Sequence, residues 1–282
     1  MNYFVPNSIQ EALFLLSENK DAKILAGGTD LTVQMREQCN YPPCLIDITK
    51  IRELSGIRKE TDSIVIGAAV TIAEIADSAF LPRALIQGAR SIGSPQIRNL
   101  GTIGGNICNA SPCGDTLPGL LVLSAHFLLA SPEGTRKVRA DEFFLGPKKT
   151  ILKENEILTV VELPKQFLQG TSSFRMIGKR NGQVISQVNG AVWAEGNREK
   201  IEGIRIAFGS AAPVPVRLSH AESCIKGEKL TREIIEQGMK LIRKDILPIT
   251  DVRASEEYRF FAAEGIFFAI LSEIRDTFQG EL

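Results

Sequence analysis

Two short segments carry residue types suited to gripping an anion, Ala26-Gly27-Gly28-Thr29-Asp30 and Thr102-Ile103-Gly104-Gly105-Asn106. Adjacent glycines let a backbone take positive φ and turn consecutive N–H groups to one side. Such a nest binds phosphate without a lysine, because its donors are fixed and their dipoles agree. A helix starting behind it adds a favourable field. Two nests from separate parts of the chain can hold the two phosphates of a dinucleotide from opposite sides, with the hydroxyls of Thr29 and Thr102 as extra donors. Each Gly-Gly serves equally well as a tight turn between a strand and a helix. Neither segment has the spacing G-x-G-x-x-G or G-x-x-x-x-G-K-[ST], so the Rossmann and P-loop readings lack their required pattern. The residues alone stop at two candidate anion-binding loops.

Other chemistry has less support. Cys39/Cys44 and Cys108/Cys113 share a C-x4-C spacing, but neither pair is followed by the C-x2-C that a plant-type iron–sulfur loop needs. Only His126 and His220 are available to complete a zinc site. An odd count of five cysteines argues for reduced, buried thiols and against a disulfide frame. No metal site is expected. Two histidines and three tyrosines offer no acid/base set to assign, so no catalytic side chain is named.

The elements that must position the loops are readable in outline. Ser8 and Glu11 make a capping box ahead of Ile9, Ala12, Leu13 and Leu16, which predicts a helix over 8–18. An apolar strand over 23–26 runs into the first glycine pair, and a second helix starts at Asp30. Strands follow at 45–48 and 64–67, a capping box at Thr71 and Glu74, and a helix over 81–90. Residues 93–99 lack clean periodicity. Asp115 is placed to cap a helix reaching Ser124. Strands at 125–131, 135–139 and 156–163 precede a break around 165–171, marked by Pro164, Gln166, Gln169 and Gly170. Strands at 172–180, 184–195 and 201–208 and helices at 219–226, 231–245 and 254–277 complete an α+β pattern, an antiparallel sheet under helices.

At 282 residues there is room for two domains. Lys+Arg and Asp+Glu each number 33, so no net field steers the chain to nucleic acid or an anionic membrane. No apolar run approaches the roughly 20 residues that span a bilayer. No charged segment followed by an apolar one opens the chain, so a cytoplasmic location is expected.

The string Gln96-Ile97-Arg98-Asn99-Leu100-Gly101-Thr102-Ile103-Gly104-Gly105-Asn106, continuing Ile107-Cys108-Asn109-Ala110-Ser111-Pro112-Cys113-Gly114-Asp115, resembles the signature of the FAD-binding (medium) subunits of molybdenum hydroxylases. These are the medium subunits of bacterial xanthine, carbon monoxide, nicotinate and quinoline dehydrogenases. Leu25 to Leu31, Glu156-Ile157-Leu158, Arg205 to Gly209 and Arg253 to Arg259 support the resemblance in the right order. It implies a p-cresol methylhydroxylase-type FAD domain of two subdomains over 1–168 and a C-terminal α+β domain over 171–282.

The same resemblance implies a site. Ile24-Leu25-Ala26-Gly27-Gly28-Thr29-Asp30-Leu31 would wrap the diphosphate and ribose of non-covalent FAD, and Thr102, Ile103, Gly104, Gly105 and Asn106 would close the other side. Asp115 would be an acidic residue near the FAD, and Leu158 a contact through its backbone. Arg175 stands where xanthine-type relatives often have lysine, though arginine is planar and bulkier. Val184 falls near a position facing the flavin ring. Molybdenum cofactor and [2Fe-2S] clusters would sit on a large and a small partner subunit, with NAD+ or another molecule as acceptor. Phe208 to Pro213 and His220-Ala221-Glu222 are closest to the xanthine type, which implies a purine substrate for the whole enzyme. A free-standing FAD oxidase and an assembly module without FAD are the competing readings; the first needs an acid/base set, the second would not need intact glycine loops.

Overall fold

The computed structural model describes residues 1–180 and 182–280; residues 181, 281 and 282 of the expected second domain lie outside the described residues. The architecture is α+β, as the patterning predicts. Its first unit is a parallel sheet ordered Asn2–Phe4, Cys44–Asp47, Lys23–Leu25. Parallel neighbours need crossovers, and the helices Ile9–Glu18 and Leu31–Gln38 supply them. Ser8 accepts from the Glu11 amide, the cap expected from the sequence.

The second unit is an antiparallel sheet ordered Ile57–Lys59, Ser63–Gly67, Ile157–Pro164, His126–Ser131, Gly134–Arg139. Helices Ile72–Ala76, Arg83–Ser91, Ile103–Cys108 and Thr116–Val122 pack with it around a core holding Phe127, Phe143, Leu120 and Ile66, while the short helix Pro95–Leu100 buries no residue there. Thr71 and Glu74 form the expected capping box. The six-residue helix Pro95–Leu100 falls where no periodicity is visible, being too short to show any. Its start was nevertheless written locally, by Ser94 as cap and Pro95 at the first position.

The third unit is an antiparallel sheet ordered Thr171–Ile177, Val188–Gly196, Ile201–Gly209, Val216–Arg217. The expected strand over 184–195 begins only at Val188. Val184 instead folds back on Gly178, so closely that a Cβ on that glycine would meet the Val184 side chain. The helix expected over 231–245 is Arg232–Leu241 followed by a 3-10 turn, Ile242–Lys244.

This third sheet is covered on both faces. Along Val188–Gly196, Ala191 and Trp193 enter the core of the second unit, whereas Val192 and Ala194 enter a core under the helix Glu256–Gln279. That helix contributes Ala262, Ala263, Ile266, Phe267, Ile270, Leu271 and Ile274, an i, i+3, i+4 stripe. Each large apolar side chain so buried stabilises by about 1.5–3 kcal/mol. Polar ties cross the same seam. Helix Arg83–Ser91 starts after Pro82 without a side-chain cap, and its Ala84 amide donates to Ser172 Oγ at 3.1 Å. Gln87 Oε1 accepts from the Phe174 amide at 2.7 Å.

Arg259 pins the far end. Buried to 2 % exposure, it donates to the carbonyls of Gln187 and Ser210 and to Asp251 Oδ1. Burial works against the Asp251 charge, but the Arg253 amide, the Arg259 guanidinium and the Ala254 amide outweigh it and hold the carboxyl at about 2. A carboxyl below its unfolded value of 3.8 stabilises the fold at higher pH and loses that stability as pH falls from about 4 toward 2. Asp251→Asn should therefore cost about 2 kcal/mol at neutral pH, with the difference from wild type vanishing near pH 2. Urea unfolding at a series of pH values checks both the size and the window.

Candidate functional site

The first glycine segment leaves the strand Lys23–Leu25 and enters the helix Leu31–Gln38 within five residues. Gly28 takes φ +69°, the left-handed turn that a side chain would resist. Its carbonyl is occupied by the Thr32 amide and hydroxyl. Gly27 has ordinary φ but lies flat against another backbone, where a Cβ would overlap the Leu100 carbonyl. Thr29 Oγ1 stands 3.2 Å from where a Cβ of Gly101 would be. The two candidate segments, over seventy residues apart in sequence, thus abut through Gly27–Leu100 and Thr29–Gly101.

Backbone donors normally find acceptors. The amides of Gly27, Gly28, Thr29 and Asp30 donate to none among the described residues, and the first three residues are half-buried. Four consecutive backbone donors of the first loop are therefore free of partners among the described residues.

The second segment works differently from the expected nest. Thr102 caps the helix Ile103–Cys108, and neither Gly104 nor Gly105 has positive φ. The Ile103 and Gly104 amides bond the carbonyls of Val70 and Ala68, each at 2.9 Å. The Gly105 amide goes to Thr102 Oγ1 at 3.1 Å and the Asn106 amide to the Thr102 carbonyl at 2.9 Å. Two glycines inside a helical turn mask the helix in the sequence, which is why the loop reading prevailed there. Gly104 is small for packing, since a Cβ would sit 2.7 Å from the Ala68 carbonyl. Gly105 is exposed, and a Cβ there would meet only Thr102 Oγ1, at 3.0 Å. What this segment offers a ligand is the Thr102 hydroxyl hydrogen, the open surface of Gly105 and the Asn106 amide group. Thr116 Oγ1 donates to Asn106 Oδ1 at 2.6 Å, which leaves the Asn106 NH2 as donor. Nothing in the sequence marked Thr116 for that task.

The remaining expected residues are placed as follows. Ile24 and Leu25 end the strand, with Leu25 Cδ1 packed beneath Gly28, and Ala26 joins the small core; Leu31 opens the helix. Leu158 is buried in the central strand beside a bulge. The Thr159 carbonyl there accepts from the Ala68 amide at 2.9 Å, and Ala68 accepts from Gly104, so Leu158 belongs to the scaffold under the second segment. Asp115 stands at the start of Thr116–Val122 but does not cap it with its side chain. Its carboxylate, 5 % exposed, accepts from Ser186 Oγ at 2.5 Å, Asn189 Nδ2 at 2.6 Å and Ser91 Oγ at 3.0 Å. Burial raises its carboxyl above the usual range, although all three donors oppose the shift. Arg175 is not brought to the loops by any hydrogen bond. It pairs with Glu273 at 3.0 Å, a carboxylate shared with Arg83 at 2.9 Å. The strand pleat turns Arg175 toward the long C-terminal helix, a direction the sequence did not disclose. Val184 lies in a turn against Gly178, outside the strand.

The two histidines stand apart from the glycine segments in hydrogen bonding. His220 pairs with Asp245, and His126 stands on a strand among Lys137, Arg139 and Glu162. All five cysteines are unpaired, and burial pushes the Cys108 thiol up to about 12. No group of three metal-ligating side chains forms among the described residues. The arrangement offers backbone amides, hydroxyls and one carboxamide, a donor set whose chemistry suits an extended anion such as a diphosphate.

The family model described as the FAD binding domain in molybdopterin dehydrogenase matches residues 1–166, and that of the CO dehydrogenase flavoprotein C-terminal domain matches 173–274. The nicotinate dehydrogenase FAD-subunit of Eubacterium barkeri is 32% identical over 292 residues, covering 99% of this chain and 97% of its own. The xanthine dehydrogenase FAD-binding subunit of Escherichia coli O157:H7 is 32% identical over 287 residues, covering 100% of this chain and 98% of its own. Among solved structures, carbon monoxide dehydrogenase from Hydrogenophaga pseudoflava lacking the Mo-pyranopterin moiety gives a TM-score of 0.91 at 33% identity over 96% of each chain.

The two glycines of the second segment should separate fold from binding. Gly104→Val drives a side chain into Ala68 and should cost about 1–3 kcal/mol of stability. Gly105→Val lies on the exposed face, where its Cβ meets only the Thr102 hydroxyl at 3.0 Å, so the apo-protein should melt within a few degrees of wild type while its FAD dissociation constant rises tenfold or more. Thermal melts of the apo-proteins and FAD titration check the pair together.

Proposed function

Because this chain belongs to the family of FAD-binding subunits of molybdenum hydroxylases, we propose that it is the electron relay of such an enzyme, passing electrons from a partner's iron–sulfur clusters to NAD+ or another acceptor. The observation that carries the reading is the row of unpaired amides at Gly27, Gly28, Thr29 and Asp30, set against Leu100 and Gly101. These amides would hold the diphosphate, with the Thr102 hydroxyl and the Asn106 NH2 opposite. Bound FAD supplies the ability to accept electrons singly and release two as a hydride.

The chain's own residues bind and orient. Gly27 and Gly28 let the backbone approach the phosphates, and Thr116 fixes the Asn106 carboxamide. Ala68, held by Thr159, sets the depth of the second segment. Asp115 ties that segment to the third sheet through Ser186 and Asn189, and so fixes the wall beside which the flavin end would lie. No histidine or cysteine stands in the first loop, so the FAD is held without a covalent bond. In this reading 1–168 carries the FAD domain and 171–282 the C-terminal domain. Arg175 acts through Glu273 in place of a direct contact.

The partners would be a large subunit with the molybdenum cofactor and a small subunit with [2Fe-2S] clusters. The similarity to a xanthine dehydrogenase subunit supports a purine as the substrate of the whole assembly.

Purified alone, the chain should be yellow and release FAD on acid precipitation. It should transfer electrons from NADH to an artificial dye and leave organic substrates untouched. Anaerobic mixing with purines, followed by absorbance, is the check. Flavin reduced by an organic substrate at catalytic rates in the lone chain would overturn the relay and make it an oxidase.

A further inference from the structure

The hairpin formed by Phe144–Gly146 and Lys149–Thr150 has an irregular tip, with a register shift between Phe144 and Gly146. Lys148 sits there at φ +60°, a conformation that non-glycine residues seldom adopt. Its amide donates at 2.9 Å to the carbonyl of Ala110, itself at φ +45°. Two left-handed residues joined by one bond show that tertiary contact, and not local preference, fixes this tip.

The side chain continues the bridge. Lys148 Nζ lies 2.5 Å from Asn109 Oδ1 and 3.7 Å from Asp30 Oδ2. Asn109 directly follows the helix of the second segment, and Asp30 ends the amide row of the first. Asp30 does not cap its own helix by its side chain; its carboxylate takes Gln34 and Lys148 instead. From Ile24 to Leu31 there is no lysine or arginine. A bare carboxylate at the end of a row built for a diphosphate would repel it, so the charge on Asp30 needs an opposite charge nearby.

We propose that Lys148 is a positioning residue for the FAD site, its ammonium neutralising Asp30 and latching the first glycine loop to Asn109. This rests on the FAD reading above. Both members of the pair are about half exposed, so the pair contributes little to the fold itself. Its effect belongs to ligand affinity.

The test uses the full chain stripped of FAD, in four forms: wild type, Lys148→Met, Lys148→Arg and Lys148→Met with Asp30→Asn. FAD is titrated at low and high salt by quenching of its fluorescence, and the dissociation rate is followed after dilution. Lys148→Met should raise the dissociation constant roughly three- to tenfold at low salt, with the gap narrowing at high salt. Lys148→Arg should restore most of the affinity. Adding Asp30→Asn to Lys148→Met should also restore it, because no uncompensated carboxylate remains, while apo melting temperatures stay level throughout. Unchanged affinity in Lys148→Met overturns the latch and leaves the FAD reading standing. Failure of Asp30→Asn to rescue overturns the action through Asp30. A wild-type chain that takes up no FAD overturns both.

Discussion

Gly27 lies against the carbonyl of Leu100 so closely that a single methyl group would not fit between them. That approach welds the small parallel sheet, which delivers the first loop, to the helical layer that delivers the second. Without it the free amides at Gly27 to Asp30 would face solvent and not a partner surface of donors. The glycine therefore serves packing and binding at once: its absent side chain admits the neighbouring backbone, and its amide remains available. Gly28 has the complementary task of supplying the left-handed turn that aims the row.

The second half of the chain holds this arrangement from behind. A sheet buried on both faces has nowhere to shift without breaking one core or the other. Ala191 and Trp193 anchor it to the layer carrying the site, and Val192 and Ala194 to the C-terminal helix. Asp115 crosses the same seam with a buried carboxyl hydrogen-bonded to Ser186, Asn189 and Ser91, an expensive group to strand and therefore a strong determinant of register. The flavin-binding layer and the C-terminal layer are thus mechanically one body, which suits a subunit that must hold a redox group at a fixed place among partners.

Much of this was legible from residues alone, for identifiable reasons. Ser8, Thr71 and the stripe of Glu256–Gln279 announce helices because caps and periodicity are local signals. The string from Gln96 to Asp115 points to the family because it is a long, uninterrupted stretch of unusual composition inside the matched FAD-binding domain. Geometry at the second segment was not legible. Gly104 and Gly105 read as a loop, and the structure makes them the first turn of a helix whose amides are already taken. The directions of Arg175 and Val184 were not legible for a related reason: strand pleat and a turn at Gly178 decide them, and both depend on distant contacts. Thr116, Ala68 and Lys148 left no local trace, since each acts only once tertiary structure brings it to the loops.

In the proposed site the two glycine segments are unequal partners, the first donating amides and the second hydroxyl, carboxamide and shape. Amide hydrogen exchange of the apo-protein, with and without saturating FAD, tests that division directly. FAD should slow exchange at Gly27, Gly28, Thr29 and Asp30 by at least tenfold and leave Ile103 to Asn106, already bonded within the chain, little changed. Protection confined to the second segment, or absent from the first, would contradict the account.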